Sequence, residues 1–317
     1  MKLKEIHELA IAMGRAADPR GEKGVQKELD HQKRIYDSLK GKEKEVFPVE
    51  LLTNPYADSR IVNGNGDEEI NGLICGVDME TQEILLADRL REKGAPIDMV
   101  LTHHPEGTGL VGLSNIMGMQ SQIFAGEGIP VNIAEGVMAP RIEEIRRRLM
   151  ASNFQRAVDA ARLLGLPMMS SHTPCDNLVQ KFLDDLFAEK QPETVGDIID
   201  LLYEIPEYQM AGANMDGPMT LCGKRENSCG KILCEMTGGT GTAKEMYREL
   251  SARGVGTCVC MHMRDEAREE AEKYHINVVI AGHMASDSIG LNLFLDALKA
   301  RGVEIIAASG LLRVERE

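Results

Sequence analysis

Ile97-Asp98-Met99-Val100-Leu101-Thr102-His103-His104 is a short apolar run that ends on two adjacent histidines. It reads as a buried strand that stops where its loop begins, and two imidazoles at that point suggest a metal site. Outward from it, from Gly72 to the C-terminus, short apolar runs alternate with amphipathic segments, the signature of an α/β fold with largely parallel strands. Strands are expected at 72–78, 97–103, 131–135, 167–172, 231–236, 257–262, 277–282 and 303–308. Helices are expected at 82–93, 114–124, 141–164, 177–189, 194–202, 243–253, 265–274 and 289–301. The stretch 208–234, antiparallel in pattern and rich in glycine and methionine, divides an α/β domain of 66–317 into lobes of about 66–205 and 206–317.

The first 65 residues read differently. Ile6, Leu9, Ala10 and Met13 stand at helical spacing, and a long polar stretch follows from Lys27 to Lys44, so 1–65 is expected to be a helical extension. Asn63-Gly64-Asn65-Gly66-Asp67 reads as the turn or linker after it.

Composition narrows the function. The chain has 317 residues, 43 % of them hydrophobic, enough for one large core or two modest ones. Its 36 basic and 50 acidic residues give a net charge of -14, which disfavours nonspecific binding to nucleic acid or anionic lipid. Seven cysteines, an odd number scattered over the chain, make a poor disulfide framework. No apolar run is long enough to cross a bilayer, and the N-terminus lacks the apolar core of a signal peptide, so a cytoplasmic protein with reduced thiols is expected. Cys258-Val259-Cys260 fits a strand with core thiols better than a metal site.

Three strand ends carry the chemistry. Successive side chains of a strand point to opposite faces, so His103 and His104 reach one ion with difficulty and two neighbouring ions more easily. Alone, they also fit a pair of strand-end histidines, one capping a carbonyl and one in solvent. A second run closes on Ser171-His172-Thr173-Pro174-Cys175-Asp176. Thr173 fits a helix N-cap with Pro174 after it, and Asp176 then falls at the capping-box position; the alternative sends its carboxylate into the crevice at the strand ends, with His172 as a ligand or as the partner that orients one. In the third, Ala281-Gly282-His283-Met284-Ala285-Ser286-Asp287, the His and Asp are four apart and share a helical face if the helix starts early. Acids are also favoured in any first helical turn, but the recurrence of His followed four residues later by Asp argues for a site. A weaker feature, Gly238-Gly239-Thr240-Gly241, follows a strand and is expected to open a helix, where its amides would cradle an anion or serve as a plain turn.

Taken in order, Gly76-Val77-Asp78-Met79-Glu80, Met99-Val100-Leu101-Thr102-His103-His104-Pro105, His172-Thr173-Pro174-Cys175-Asp176 and Ala281-Gly282-His283 resemble the Nif-three-like dinuclear metal-centre family, also called GTP cyclohydrolase I type 2 homologs. The resemblance spans about Gly72 to the C-terminus. It implies a two-lobed fold of mixed, largely parallel sheets flanked by helices, with two divalent ions between the lobes and a homohexameric toroid. It implies His103, His104, Asp176, His283 and Asp287 as the ligands.

The chain departs from that pattern in three places. The family's last ligand is usually Glu, one methylene longer than Asp287. Apolar residues usually follow the His-His-Pro motif, where this chain has Glu106-Gly107-Thr108-Gly109, so Glu106 reads as an extra ligand, a candidate general base or a solvated loop acid. The interval from His104 to His172 is also longer than usual, and the helical stretch 141–164 accounts for it.

Imidazole and carboxylate ligands suit Zn, Fe, Mn, Co or Ni. Two such ions about 3.5–4 Å apart activate water and clamp a substrate's oxygens. The expected function is therefore a metal-dependent hydrolase of a small phosphorylated or nucleotide-like substrate. The alternative is a non-enzymatic metal-holding, metal-delivery or regulatory toroid. Nothing in these residues selects GTP.

Overall fold

The computed structural model describes residues 1–316. In chain order its strands are β1 (Ile61–Asn63), β2 (Gly72–Gly76), β3 (Met99–Thr102), β4 (Met168–Ser170), β5 (Met219–Cys222), β6 (Lys231–Glu235), β7 (Val255–Cys260), β8 (Asn277–Ile280) and β9 (Glu304–Ala307). They form a five-stranded sheet ordered β1-β4-β3-β2-β9 and a four-stranded sheet ordered β5-β8-β7-β6. Only the edge strands β1 and β5 pair antiparallel, so each sheet is mixed but largely parallel, as the alternation of apolar runs and helices implies. The inner strands β2 and β3 are buried along their whole length, as expected for strands covered by helices on both faces.

Several sequence expectations change. Residues 131–135 are not a strand; they open the helix Val131–Met150, which runs through Pro140. Proline removes one backbone hydrogen bond there, but Ala134, Met138 and Ile145 on the same helix join the core of the second sheet, and that packing outweighs the loss. The expected helix 114–124 is two helices, Gly107–Ile116 and Gly118–Gly126. The stretch 208–234 begins inside a helix, Pro206–Ala213, before β5 makes the antiparallel pairing.

Two further changes concern how distant parts of the chain join. β9 pairs with β2, so the C-terminal strand returns to the first sheet and a boundary at residue 206 does not separate the two sheets along the sequence. The N-terminal helix Leu3–Ala16 is not an appendage: Leu3, Ile6 and Ala10 are buried with Leu73, Leu101 and Phe294. Its apolar face is covered by the helices Thr173–Lys190 and His283–Lys299, and those two helices also pack on each other. Both of them start at strand ends that carry the candidate ligands.

Candidate metal centre

The backbone explains why the side chains converge. His103 and His104 leave β3 still paired, their amides donating to the carbonyls of Gly76 and Val77. After β4 the chain turns directly into the helix Thr173–Lys190, with His172 at its N-cap and Asp176 in its first turn. After β8, Gly282 adopts φ 108°, a conformation open to glycine, and the helix His283–Lys299 begins at once. His283 and Asp287 therefore sit on one helical face, Nε2 3.3 Å from Oδ2. The ligand candidates come from the C-terminal ends of β3 and β4 in one sheet and of β8 in the other.

The capping reading of Asp176 is now excluded. His172, not Thr173, is the N-cap residue and makes no side-chain cap bond, and the Thr173 hydroxyl donates instead to Asp58 Oδ2 at 2.6 Å. Asp176 turns the other way, with Oδ1 3.2 Å from His103 Nε2 and Oδ2 3.6 Å from His172 Nε2. Asp287 divides its two oxygens. Oδ1 lies 3.4 Å from His103 Nε2, while Oδ2 lies 3.5 Å from His104 Nε2 and 3.3 Å from His283 Nε2.

Each of three imidazoles is held by its other nitrogen. His103 Nδ1 meets the carbonyl of Ser171 at 3.1 Å, His104 Nδ1 meets Asp78 Oδ1 at 2.6 Å, and His172 Nδ1 meets Asp58 Oδ2 at 2.8 Å. A carbonyl or carboxylate at Nδ1 fixes the tautomer that leaves Nε2 with a lone pair, the outer-sphere arrangement of metal-ligating histidines. His104 Nε2 and His283 Nε2 face each other at 3.3 Å. Asp58, from the segment preceding β1, was not singled out in the sequence, and Asp78, just after β2, was quoted there without a role, since nothing local to either residue reveals a histidine 114 or 26 positions away.

These contacts leave an unbalanced centre. His103 Nε2, Asp176 Oδ1 and both oxygens of Asp287 are buried without a hydrogen-bond partner. Buried polar atoms are nearly always paired, and four orphans aimed at one another identify a place for a cation. The geometry groups them as His103, Asp176 and Asp287, as His104, His283 and Asp287, and as His103, His104 and His172, with the ligand atoms of each group within 4.8 Å of one another. Nitrogen and oxygen donors in these groups fit a divalent transition metal. Protonation follows the same charges. Burial opposes a positive His104, but the Asp287 carboxylate 3.5 Å away and the hydrogen bond to Asp78 outweigh it and lift the imidazole to about 9. Burial likewise opposes ionisation of Asp287, yet the charge on His103 holds its carboxyl well below the usual range.

The centre opens into a cleft, which His172, Asp176, His283 and Asp287 line together with residues 236–237, 239–242 and 260–264. His262, at the end of β7, brings its ring edge-on to His283 at 4.8 Å. The glycine turn expected to open a helix lines this cleft, but the next helix begins only at Met246. Gln120 Nε2 donates to the carbonyls of Gly238 and Thr240 and pins the turn, so an anion site on helix amides at Gly238, Gly239, Thr240 and Gly241 loses its structural basis. Glu106 belongs to none of the three ligand groups and does not line the cleft. It is the N-cap residue of the helix Gly107–Ile116, and burial, reinforced by Glu80, pushes its carboxyl up to about 7. Cys258 and Cys260 are buried core thiols of β7, and all seven cysteines are free.

No family model and no curated protein matches the chain. Solved structures do. A NIF3 superfamily protein from Sphaerobacter thermophilus superposes with a TM-score of 0.76 at 24 % identity, covering 98 % of this chain and 99 % of that one. The chain has the NIF3 fold. Reduced HcgD from Methanocaldococcus jannaschii aligns over 78 % of this chain and 87 % of its own at 16 % identity and a TM-score of 0.51. The NIF3 match extends over nearly the whole chain, so it takes in the N-terminal helix as well as both sheets. No helix among the described residues is long and apolar enough to cross a membrane.

Proposed function

We propose that this protein holds two divalent ions at the His/Asp centre and hydrolyses a small phosphorylated or nucleotide-like substrate in the adjoining cleft. The observation that carries the reading is Asp287, whose two oxygens face different histidines, Oδ1 towards His103 and Oδ2 towards His104 and His283. Such a carboxylate would serve two neighbouring ions, with His103 and Asp176 available to complete one set and His104 and His283 the other. The shorter Asp reaches both sets because the helix His283–Lys299 starts immediately after β8. Ions of the Zn, Fe, Mn, Co or Ni class would supply Lewis acidity and activate water for attack on the substrate.

The chain's own residues prepare that chemistry. Asp58, Asp78 and the Ser171 carbonyl hold three imidazoles with Nε2 presented, while the wall of residues 236–237 and 239–242 shapes the cleft that receives the substrate. The same reading carries a cytoplasmic homo-oligomer, a hexamer by resemblance, which light scattering of the purified protein checks.

The deciding experiment is elemental analysis after reconstitution with Mn or Zn, followed by assay against nucleotides and phosphate esters. About two ions per chain are expected, with content reduced in Asp287→Asn and turnover abolished in His103→Ala. A protein that retains no transition metal after reconstitution refutes the centre. One that binds metal, releases it readily to a chelator and turns over nothing is a metal-holding protein instead.

A further inference from the structure

The cleft does not end at the metal centre. Arg141 and Arg264 line it as well, contributed by the helix Val131–Met150 and by the segment that follows β7. Arg264 stands two residues after His262, and two residues of chain span roughly 7 Å at most. His262 touches the His283 ring, so the guanidinium is carried on a segment that starts at the metal centre.

The loop of residues 237–242 aims both arginines. Arg264 Nη2 donates to the Thr242 carbonyl at 3.0 Å, and Arg141 Nε donates to the Gly241 carbonyl at 3.4 Å. Carbonyls orient a guanidinium without neutralising it. Arg141, only 7 % exposed, has one carboxylate partner, Glu144 at 2.8 Å, whose other oxygen is taken by Arg148 at 2.6 Å. Among the described residues no carboxylate lies within ion-pair distance of Arg264. The acids that follow it, Asp265 and Glu266, approach Arg268 and Lys244 instead. In a chain of net charge -14, two guanidiniums, Arg141 and Arg264, line this cleft, and the other acid of its wall, Glu235, is engaged by the Tyr247 hydroxyl at 2.9 Å.

We propose that Arg264, supported by Arg141, binds a phosphate group of the substrate where the 241–242 loop lines the cleft. The substrate is then a small organophosphate that presents its reacting bond to the metal centre while a second, non-reacting phosphate is gripped by the arginines. A planar guanidinium with free N–H groups matches phosphate oxygens in pairs. This proposal rests on the reading of the cleft as a metal-dependent site, but the arginine pocket is testable without it.

The test is titration calorimetry at low salt with inorganic phosphate as the probe and acetate as the control. Wild-type protein, chelator-treated protein, His104→Ala, Arg264→Gln and Arg264→Lys are compared, each with its metal content measured. Phosphate binding is expected to survive chelation and His104→Ala, and to weaken about tenfold or more in Arg264→Gln, with acetate binding much more weakly throughout. Arg264→Lys, which keeps the charge but loses the fork, is expected to fall between wild type and Arg264→Gln and stands in should the latter not fold. Phosphate binding that disappears with the metal, or that both Arg264 variants leave unchanged, overturns the proposal. Absence of metal from the wild-type protein refutes the proposed function, whereas retained, Arg264-dependent phosphate binding leaves the arginine site standing.

Discussion

At the scale of single residues, the centre is built from side chains whose ordinary roles are missing. Asp176 makes no cap bond although it stands in the first turn of its helix, where an acid is welcome, and both Asp287 oxygens lack partners. The ligand candidates were legible because His103-His104, His172-Asp176 and His283-Asp287 are local in sequence. Asp58 was not, because its partnership with His172 exists only after folding. That partnership yields a prediction: Asp58→Asn weakens metal binding about ten- to a hundredfold while the far-ultraviolet circular dichroism is unchanged, since the imidazole loses its orienting charge. Competition with a chromophoric chelator measures it, and an unchanged affinity removes His172 from the centre. A second prediction concerns Glu235, a partly buried acid in the cleft wall. Loss of hydration pushes its carboxyl up to about 7, opposed by the Tyr247 hydroxyl that donates to it at 2.9 Å. Because the folded-state value is raised, the folded protein binds the proton more tightly than the unfolded chain does. The associated stability is fully present below about 4.5 and is lost as pH rises through about 7. Glu235→Gln, which keeps an acceptor for Tyr247 without a charge, is expected to be more stable than wild type at pH 8 by on the order of 2 kcal/mol and to lose that advantage near pH 5. Denaturant melts at the two pH values decide; a difference that does not vary with pH contradicts it.

At the scale of elements, alternating apolar runs were enough to place β2, β3, β4, β6, β7, β8 and β9 and the bodies of the helices Thr173–Lys190 and His283–Lys299, which start four and six residues earlier than the expected 177 and 289. The exceptions have physical causes. β1 is three residues long, too short for a periodicity of its own, and it exists because it pairs with β4. The opening turns of the helix Val131–Met150 were hidden by Pro140, a residue that normally ends a helix and is overruled here by packing. Close approach between helices was equally invisible. A Cβ on Gly290 would lie 2.2 Å from the carbonyl oxygen of Cys175, so the helices His283–Lys299 and Thr173–Lys190 touch backbone to backbone, next to Asp287 on one and Asp176 on the other. Gly290→Ala must push the two apart. A loss of about 1–3 kcal/mol in stability is expected, as for other overpacked cores, together with weaker metal binding. Full stability in urea, with metal affinity intact, shows that the two helices are not held at a separation the centre requires.

At the scale of the whole molecule, the centre joins two sheets that share no strand pairing. Its groups lie at residues 103–104, 172–176 and 283–287, on loops from both sheets, and Asp58 adds the segment before β1. The N-terminal helix covers the two helices that carry His172 with Asp176 and His283 with Asp287, so most of the chain must be folded before the ligands meet. An unfolded chain offers the same side chains far apart and holds an ion much less tightly. Under the proposed function ion binding would be folding free energy for the protein as a whole, since it would satisfy Asp176 Oδ1 and both Asp287 oxygens, which are otherwise buried without a partner. Free metal at a hundredfold excess over its dissociation constant stabilises the native state by about 2.7 kcal/mol for each site. The melting temperature is accordingly expected to rise with metal concentration in wild-type protein and to fall when a chelator is added. In Asp287→Asn the dependence on metal should be largely absent, because the residue shared by both sets is impaired. Differential scanning calorimetry across a metal titration reads both responses, and a wild-type melting temperature indifferent to metal contradicts the coupling of the centre to the fold.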